Sequence, residues 1–177
     1  MANPWRVITT HGRAIVLLAG LFFWHTDTVG WSQVVGDEAE MDRLTAKAED
    51  LMANDDPEGA AMSMGRAALM AKQLATKHND AASTARVFQG AEMLFRSQEH
   101  AYRAMALFRR AGGQLPASSG VCGSLALANS GVRHATSLLE KNGNLTGPLA
   151  ERATTLRAAA DDWTTVIASM IADYQCP

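Results

Sequence analysis

Residues 81–111 read AASTARVFQGAEMLFRSQEHAYRAMALFRRA, an uninterrupted stretch without proline. Val87, Ala91, Leu94, Ala101, Met105 and Phe108 recur at steps of three, four or seven, which places them on one face of a helix. Phe88, Phe95 and Tyr102 repeat every seven residues and form a second apolar stripe beside the first. A long helix with two adjacent apolar stripes needs neighbours on more than one side, so this segment is predicted to be the central helix of a bundle. Its remaining face carries Arg86, Gln89, Glu92, Arg96, Glu99 and Arg103, whose alternating charges at i, i+3 and i, i+4 read as a solvated line of helix ion pairs.

The same periodicity extends outward in both directions. Met41, Leu44, Ala48, Leu51 and Met52 make one face of a first helix over about residues 37–53. Asn54-Asp55-Asp56-Pro57 then stops it and starts the next. Asp56 suits an N-cap, Pro57 the first helical position, and Glu58 the positive end of the helix dipole. The second helix runs to about His78 with Ala60, Met64, Ala67, Ala71, Leu74 and Ala75 inward. Asn79-Asp80 is a turn, with Asp80 or Ser83 as the cap of the central helix.

Downstream, the run Gly112-Gly113-Gln114-Leu115-Pro116 ends the central helix. A fourth helix over about 118–141 carries Val121, Leu125, Ala128, Val132, Ala135 and Leu139, and Asn142-Gly143-Asn144 closes it. Gly147-Pro148 opens a fifth that reaches about Tyr174 on a stripe of Leu149, Ala153, Leu156, Ala160, Trp163, Ile167, Met170 and Tyr174. Short connections make successive helices antiparallel. The expected fold is therefore all-α, an antiparallel bundle of about five helices with a four-helix-bundle-like core. Residues 33–177 form one domain, and no 34-residue tetratricopeptide signature is present.

Composition agrees. Of 177 residues 47 % are hydrophobic, 32 are alanine and only 6 % are aromatic, a mixture that favours helices over a sandwich or barrel. A net charge of −2 provides no basic excess for a phosphate backbone, so nucleic acid is not an expected partner.

Residues 1–32 read as a signal peptide. Arg6, His11 and Arg13 precede an uncharged apolar run of 11 residues, AIVLLAGLFFW at 14–24, short of the ~20 needed to span a bilayer. Gly30 and Ser32 are small residues near the expected cleavage, and an uncleaved anchor is the alternative. The mature chain then has a net charge of −3, no transmembrane span, and a periplasmic or secreted location. In that oxidising setting the pair Cys122 and Cys176 reads as a disulfide. Counted from the turn between the last two helices, Cys122 lies roughly 30 Å away and Cys176 roughly 40 Å, a difference that a folded-back last turn can close.

Candidate chemistry is sparse. There is no G-x-S-x-G, H-E-x-x-H, P-loop, dinucleotide or C-x-x-C signature, so the chain reads as non-enzymatic. His78 falls at a helix C-terminus, where an imidazolium would suit the dipole. His100 and His134 count to roughly 18 Å and 24 Å from the turn that joins their helices. At such similar heights they, with Met105 or Met93, could ligate haem b or copper. Otherwise no cofactor is expected, and the methionines serve as core filler or a pliable surface.

Two resemblances bear on function. Met64-Gly65-Arg66, followed by Leu69-Met70 and Leu74-Ala75, resembles the Gly-Arg motif of the helical sensor domain of type IV pilus chemoreceptors and nitrate sensors. That resemblance implies that Arg66 helps to bind an anion, although Ala67 and Ala68 replace the polar residues that follow the motif. The leader, the Asp56-Pro57 turn and the cysteines resemble secreted all-helical chorismate mutases, whose chemistry needs cationic side chains where this chain has Asp50 and Met62.

The leading expectation is an exported helical bundle that binds another exported or envelope protein, or a small ligand, through its first two helices. Arg66, Met62 and Met64 are the candidate contacts, and Gly59 and Gly65 suggest a local bend or a close approach. The alternatives are a metal- or haem-binding bundle on His100, His134 and Met105, and a small helical enzyme or anion sensor using Arg66.

Overall fold

A computed structural model describes residues 29–113, 120–140 and 145–177, with side chains from residue 36 onward. The described chain is five α-helices: α1 (Val29–Ala53), α2 (Pro57–Lys77), α3 (Ala82–Arg110), α4 (Val121–Glu140) and α5 (Pro148–Asp173). Helix α3 is central. It packs against α2 on one side and α4 on the other and also touches α5, while α1 lies on α2 and α5 lies on α4. Both α3 stripes are used. Val87, Ala91, Leu94 and Ala101 are buried, and so are Phe88, Phe95 and Tyr102. The six apolar positions named for α4 are all buried, and on α5 Ala153, Leu156, Ala160, Ile167 and Met170 are. None of the described helices is long and apolar enough to cross a membrane.

The turn chemistry follows from the residues. Asp55 adopts φ 60°, so the Asp55 and Asp56 amides return to the Met52 and Leu51 carbonyls and close α1. The Asp56 carboxylate then accepts from the Gly59 amide at 2.9 Å and caps α2 behind Pro57. A side chain on Gly59 would run into that carboxylate, which accounts for this glycine without a bend. The cap expected for α3 differs: the N-cap is Ala81, and neither Asp80 nor Ser83 makes a capping hydrogen bond there. Helix α3 is instead held in place by its packing on both sides.

Residues 1–28 of the expected leader, 114–119 and 141–144 lie outside the described residues. Helix α1 begins at Val29 rather than near residue 37, since 29–36 contains no proline to stop the hydrogen-bond ladder. At the other end Gln175, at φ 53°, turns the chain so that the Cys176 amide reaches the Ile171 carbonyl at 3.0 Å. This fold-back brings Cys176 to Cys122 at disulfide distance, with their Cα atoms 5.3 Å apart.

Close contacts set the α3–α4 register. Gly90 faces Leu139, and Ser97 donates to the Ala128 carbonyl at 2.7 Å while lying against Gly131. Across the α2–α3 seam, Gly65 admits the Glu99 carboxylate. Glu99 accepts from Arg96 at 2.8 Å and Arg103 at 2.7 Å, so part of the charged line of α3 is buried against α2 rather than solvated.

Candidate functional site

Helices α1 and α5 border a groove of about 820 Å³ whose lining also includes α3 and α2. Its floor is apolar: Phe88, Leu94 and Phe95 from α3, Met64 from α2, and Leu149 and Leu156 from α5. Phe88 carries the ring of His78, stacked at 5.7 Å. The rim is polar and mainly acidic, with Glu38, Asp42 and Glu49 from α1 and Glu151 and Arg152 from α5. Arg152 joins the two walls. Its guanidinium donates to both Asp42 oxygens at 2.9 and 3.0 Å and pairs with Glu38 at 3.2 Å. Those hydrogen bonds to Asp42 and the adjoining carboxylate charges raise its pKa against the opposing effect of burial.

Gln98 is the distinctive residue of this groove. It lies one turn beyond Phe95 and one before Tyr102, on the apolar stripe, and is 6 % exposed. Its Oε1 is buried and finds no hydrogen-bond partner among the described residues, and the same holds for His78 Nε2. An unpaired buried polar atom costs about 1–3 kcal/mol, and the residue that carries this cost is part of the groove lining. Nearby Tyr102 meets Trp163 edge-on at 5.2 Å. Burial foremost, with the Glu49 charge adding to it, pushes the Tyr102 phenol up to about 12.

The expected contacts divide between two places. Met64 is buried and lines the groove, whereas Met62 and Arg66 are exposed on the opposite side of α2. There they border a smaller depression of about 530 Å³ with Leu69, Arg96, Arg103 and Arg110. Two carboxylates, Glu99 and Glu58, already pair with three of these arginines. Gly65 serves the Glu99 contact, which answers the close-approach reading with helix packing inside the molecule.

The histidine pair is not assembled. Ser97 is level with Gly131, so His134 stands level with about Leu94, roughly 9 Å along the axis from His100. His134 is exposed, while His100 is half-buried with Nδ1 unpartnered. Counting from the connecting turn had placed them closer, but packing at Gly90 and Gly131 sets the actual register. Met105 packs against the core. Among the described residues no group of three or more His, Cys, Asp or Glu is placed to hold a metal. His100 has a pKa lowered by burial, with Arg103 and Arg96 adding and Glu99 opposing.

Sequence reasoning missed Gln98, His78 and Arg152 as groove residues. The available signal was Gln98 itself, a carboxamide on an otherwise aromatic stripe. No protein-family model, curated protein or solved structure matches this chain.

Proposed function

We propose that this protein is an exported, non-enzymatic helical bundle that binds a small ligand in the groove between α1, α3 and α5. The observation that carries this reading is the groove itself, which has Phe88, Phe95, Met64 and the carboxamide-bearing Gln98 in its lining between α1 and α5. An apolar floor beneath a polar rim can hold the hydrocarbon of a small molecule and orient its polar group. Export is supported by the leader composition and by the Cys122–Cys176 pair, which requires an oxidising compartment to persist.

The test is native mass spectrometry of protein purified from its own host, alongside Gln98→Leu. A co-purifying small molecule on the wild type, retained at least about tenfold less by the variant, is expected. A bare wild-type mass, or equal retention by both proteins, would overturn the assignment.

A second reading has its own observation. Met62 and Leu69 are large hydrophobics, 66 % and 50 % exposed, flanking Arg66 on the outer face of α2. Such a patch suits an exported or envelope protein as partner. Under this reading, Met62→Glu with Leu69→Glu abolishes a complex recovered from the host envelope while Gln98→Leu leaves it intact.

A further inference from the structure

The depression on the outer side of α2 and α3 has a charge opposite to that of the whole chain. Met62 and Leu69 are two of the four large hydrophobics exposed among the described residues, and they lie about two turns, or roughly 10 Å, apart on one face of α2. Arg66 stands between them, exposed and without an ion pair among the described residues. Gly65 meets the Glu99 carboxylate, which sets how these antiparallel helices align. Counted from that contact, Met62 is level with about Arg103 and Leu69 with about Arg96, so each apolar side chain has an arginine at its own height across the seam. The lining runs from Glu58 to Leu69 on α2 and from Arg96 to Arg110 on α3. At 1.5 Å per residue these lengths are about 17 Å and about 21 Å, three to four helical turns. Four arginines line the depression against two carboxylates. Arg96 and Arg103 each donate to Glu99, and Arg110 donates to Glu58. A guanidinium has five N–H donors, so all three retain donors beyond these bonds.

We infer that this depression receives an acidic amphipathic helix of another exported protein, its apolar residues seated on Met62 and Leu69 and its carboxylates accepting from Arg66 and the arginine row of α3. The space between two antiparallel helices suits a third helix laid along it, and the seven-residue interval from Met62 to Leu69 matches the i, i+7 anchors of such a helix. Charge fixes the sign of the partner. A basic helix would face two surplus guanidiniums uncompensated, whereas carboxylates pair with them in short, charge-assisted hydrogen bonds. An anionic lipid surface fits less well, because the chain as a whole is negative and its exposed apolar side chains here border a depression. The inference rests on the partner reading of this face given above and names the chemistry of what docks there.

Photo-crosslinking of the full chain in its own host tests it. Met62→p-benzoylphenylalanine and Leu69→p-benzoylphenylalanine place an apolar probe at exposed positions and leave the core untouched. Thr165→p-benzoylphenylalanine, exposed on α5 and outside the depression, is the control. Adducts are identified by mass spectrometry of the joined peptides. The expected result is that both α2 probes join one segment of another protein, with helical periodicity and an excess of Asp and Glu, and that the control does not. Adding Arg66→Glu to the Leu69 probe should lower the adduct yield at least about fivefold, while Arg66→Lys retains it. Arg66 is exposed, so both changes keep the fold and report on charge. If the joined segment has no acidic excess, or Arg66→Glu leaves the yield unchanged, the acidic class is wrong while the face remains a docking surface. If only lipid is joined, if the control gives the same adducts, or if neither α2 probe gives any, the partner reading of this face falls with it.

Discussion

Asp56 serves two helices at once. Its amide closes α1 on the Leu51 carbonyl at 2.8 Å, and its carboxylate caps α2 at the Gly59 amide. Asp56→Ala removes the second function only, so the urea midpoint is expected to fall by the equivalent of about 1 kcal/mol. His100 makes a different kind of contribution. Its pKa in the folded chain is below the 6.5 of an unperturbed histidine, chiefly because burial disfavours the imidazolium. The associated stability is present above the unfolded value and is lost as pH falls through the folded one. Melting temperature should therefore drop more steeply between about pH 7.5 and about 5.5 for the wild type than for His100→Gln. Parallel curves would show that the imidazole is not the group responsible.

At the scale of elements, small residues decide how closely the helices approach. A Cβ on Gly90 would stand 2.7 Å from the Leu139 side chain, inside the α3–α4 interface, whereas one on Gly123 would meet nothing within 4 Å. Gly90→Ala is expected to cost about 1–3 kcal/mol by wedging the two helices apart. Gly123→Ala should add about 0.5–1 kcal/mol, because alanine is the better helix former and has room there. Thermal denaturation of the two variants side by side makes the comparison; equal effects would contradict the packing assigned to this seam. At α2–α3 the same principle puts a charge in the interface: Gly65 leaves space for Glu99, and Arg96 and Arg103 neutralise it.

For the whole molecule the covalent link and the groove lie on different parts of the bundle. The Cys122–Cys176 pair spans 54 residues and ties the end of α5 to the start of α4. Cys122→Ser with Cys176→Ser is expected to lose about 2–4 kcal/mol by releasing the unfolded chain from that loop. Chemical denaturation under non-reducing conditions measures it. Helix α1 lies outside the loop. It is held by its packing on α2 and by the ion pairs of Arg152 with Asp42 and Glu38 and of Lys77 with Asp37. The wall of the groove that carries most of its acidic side chains is thus a helix that the covalent loop does not include.

Much of this architecture is legible in the sequence, because helical periodicity and cap chemistry are local. The stripes of α3, α4 and α5, the Asp56-Pro57 start of α2 and the end of α2 at His78 all follow from residues within a few turns of each other. Even the cysteine pairing follows from counting residues on either side of one turn. The candidate site did not follow in this way. Gln98 and His78 are unremarkable until α1 and α5 border one groove with them. His100 and His134 looked like a pair until Gly90 and Gly131 fixed a register that separates them. Periodicity states which face of a helix is buried, but not which helices meet there or at what height. Those depend on side-chain volumes contributed from distant parts of the chain, and only the tertiary structure combines them.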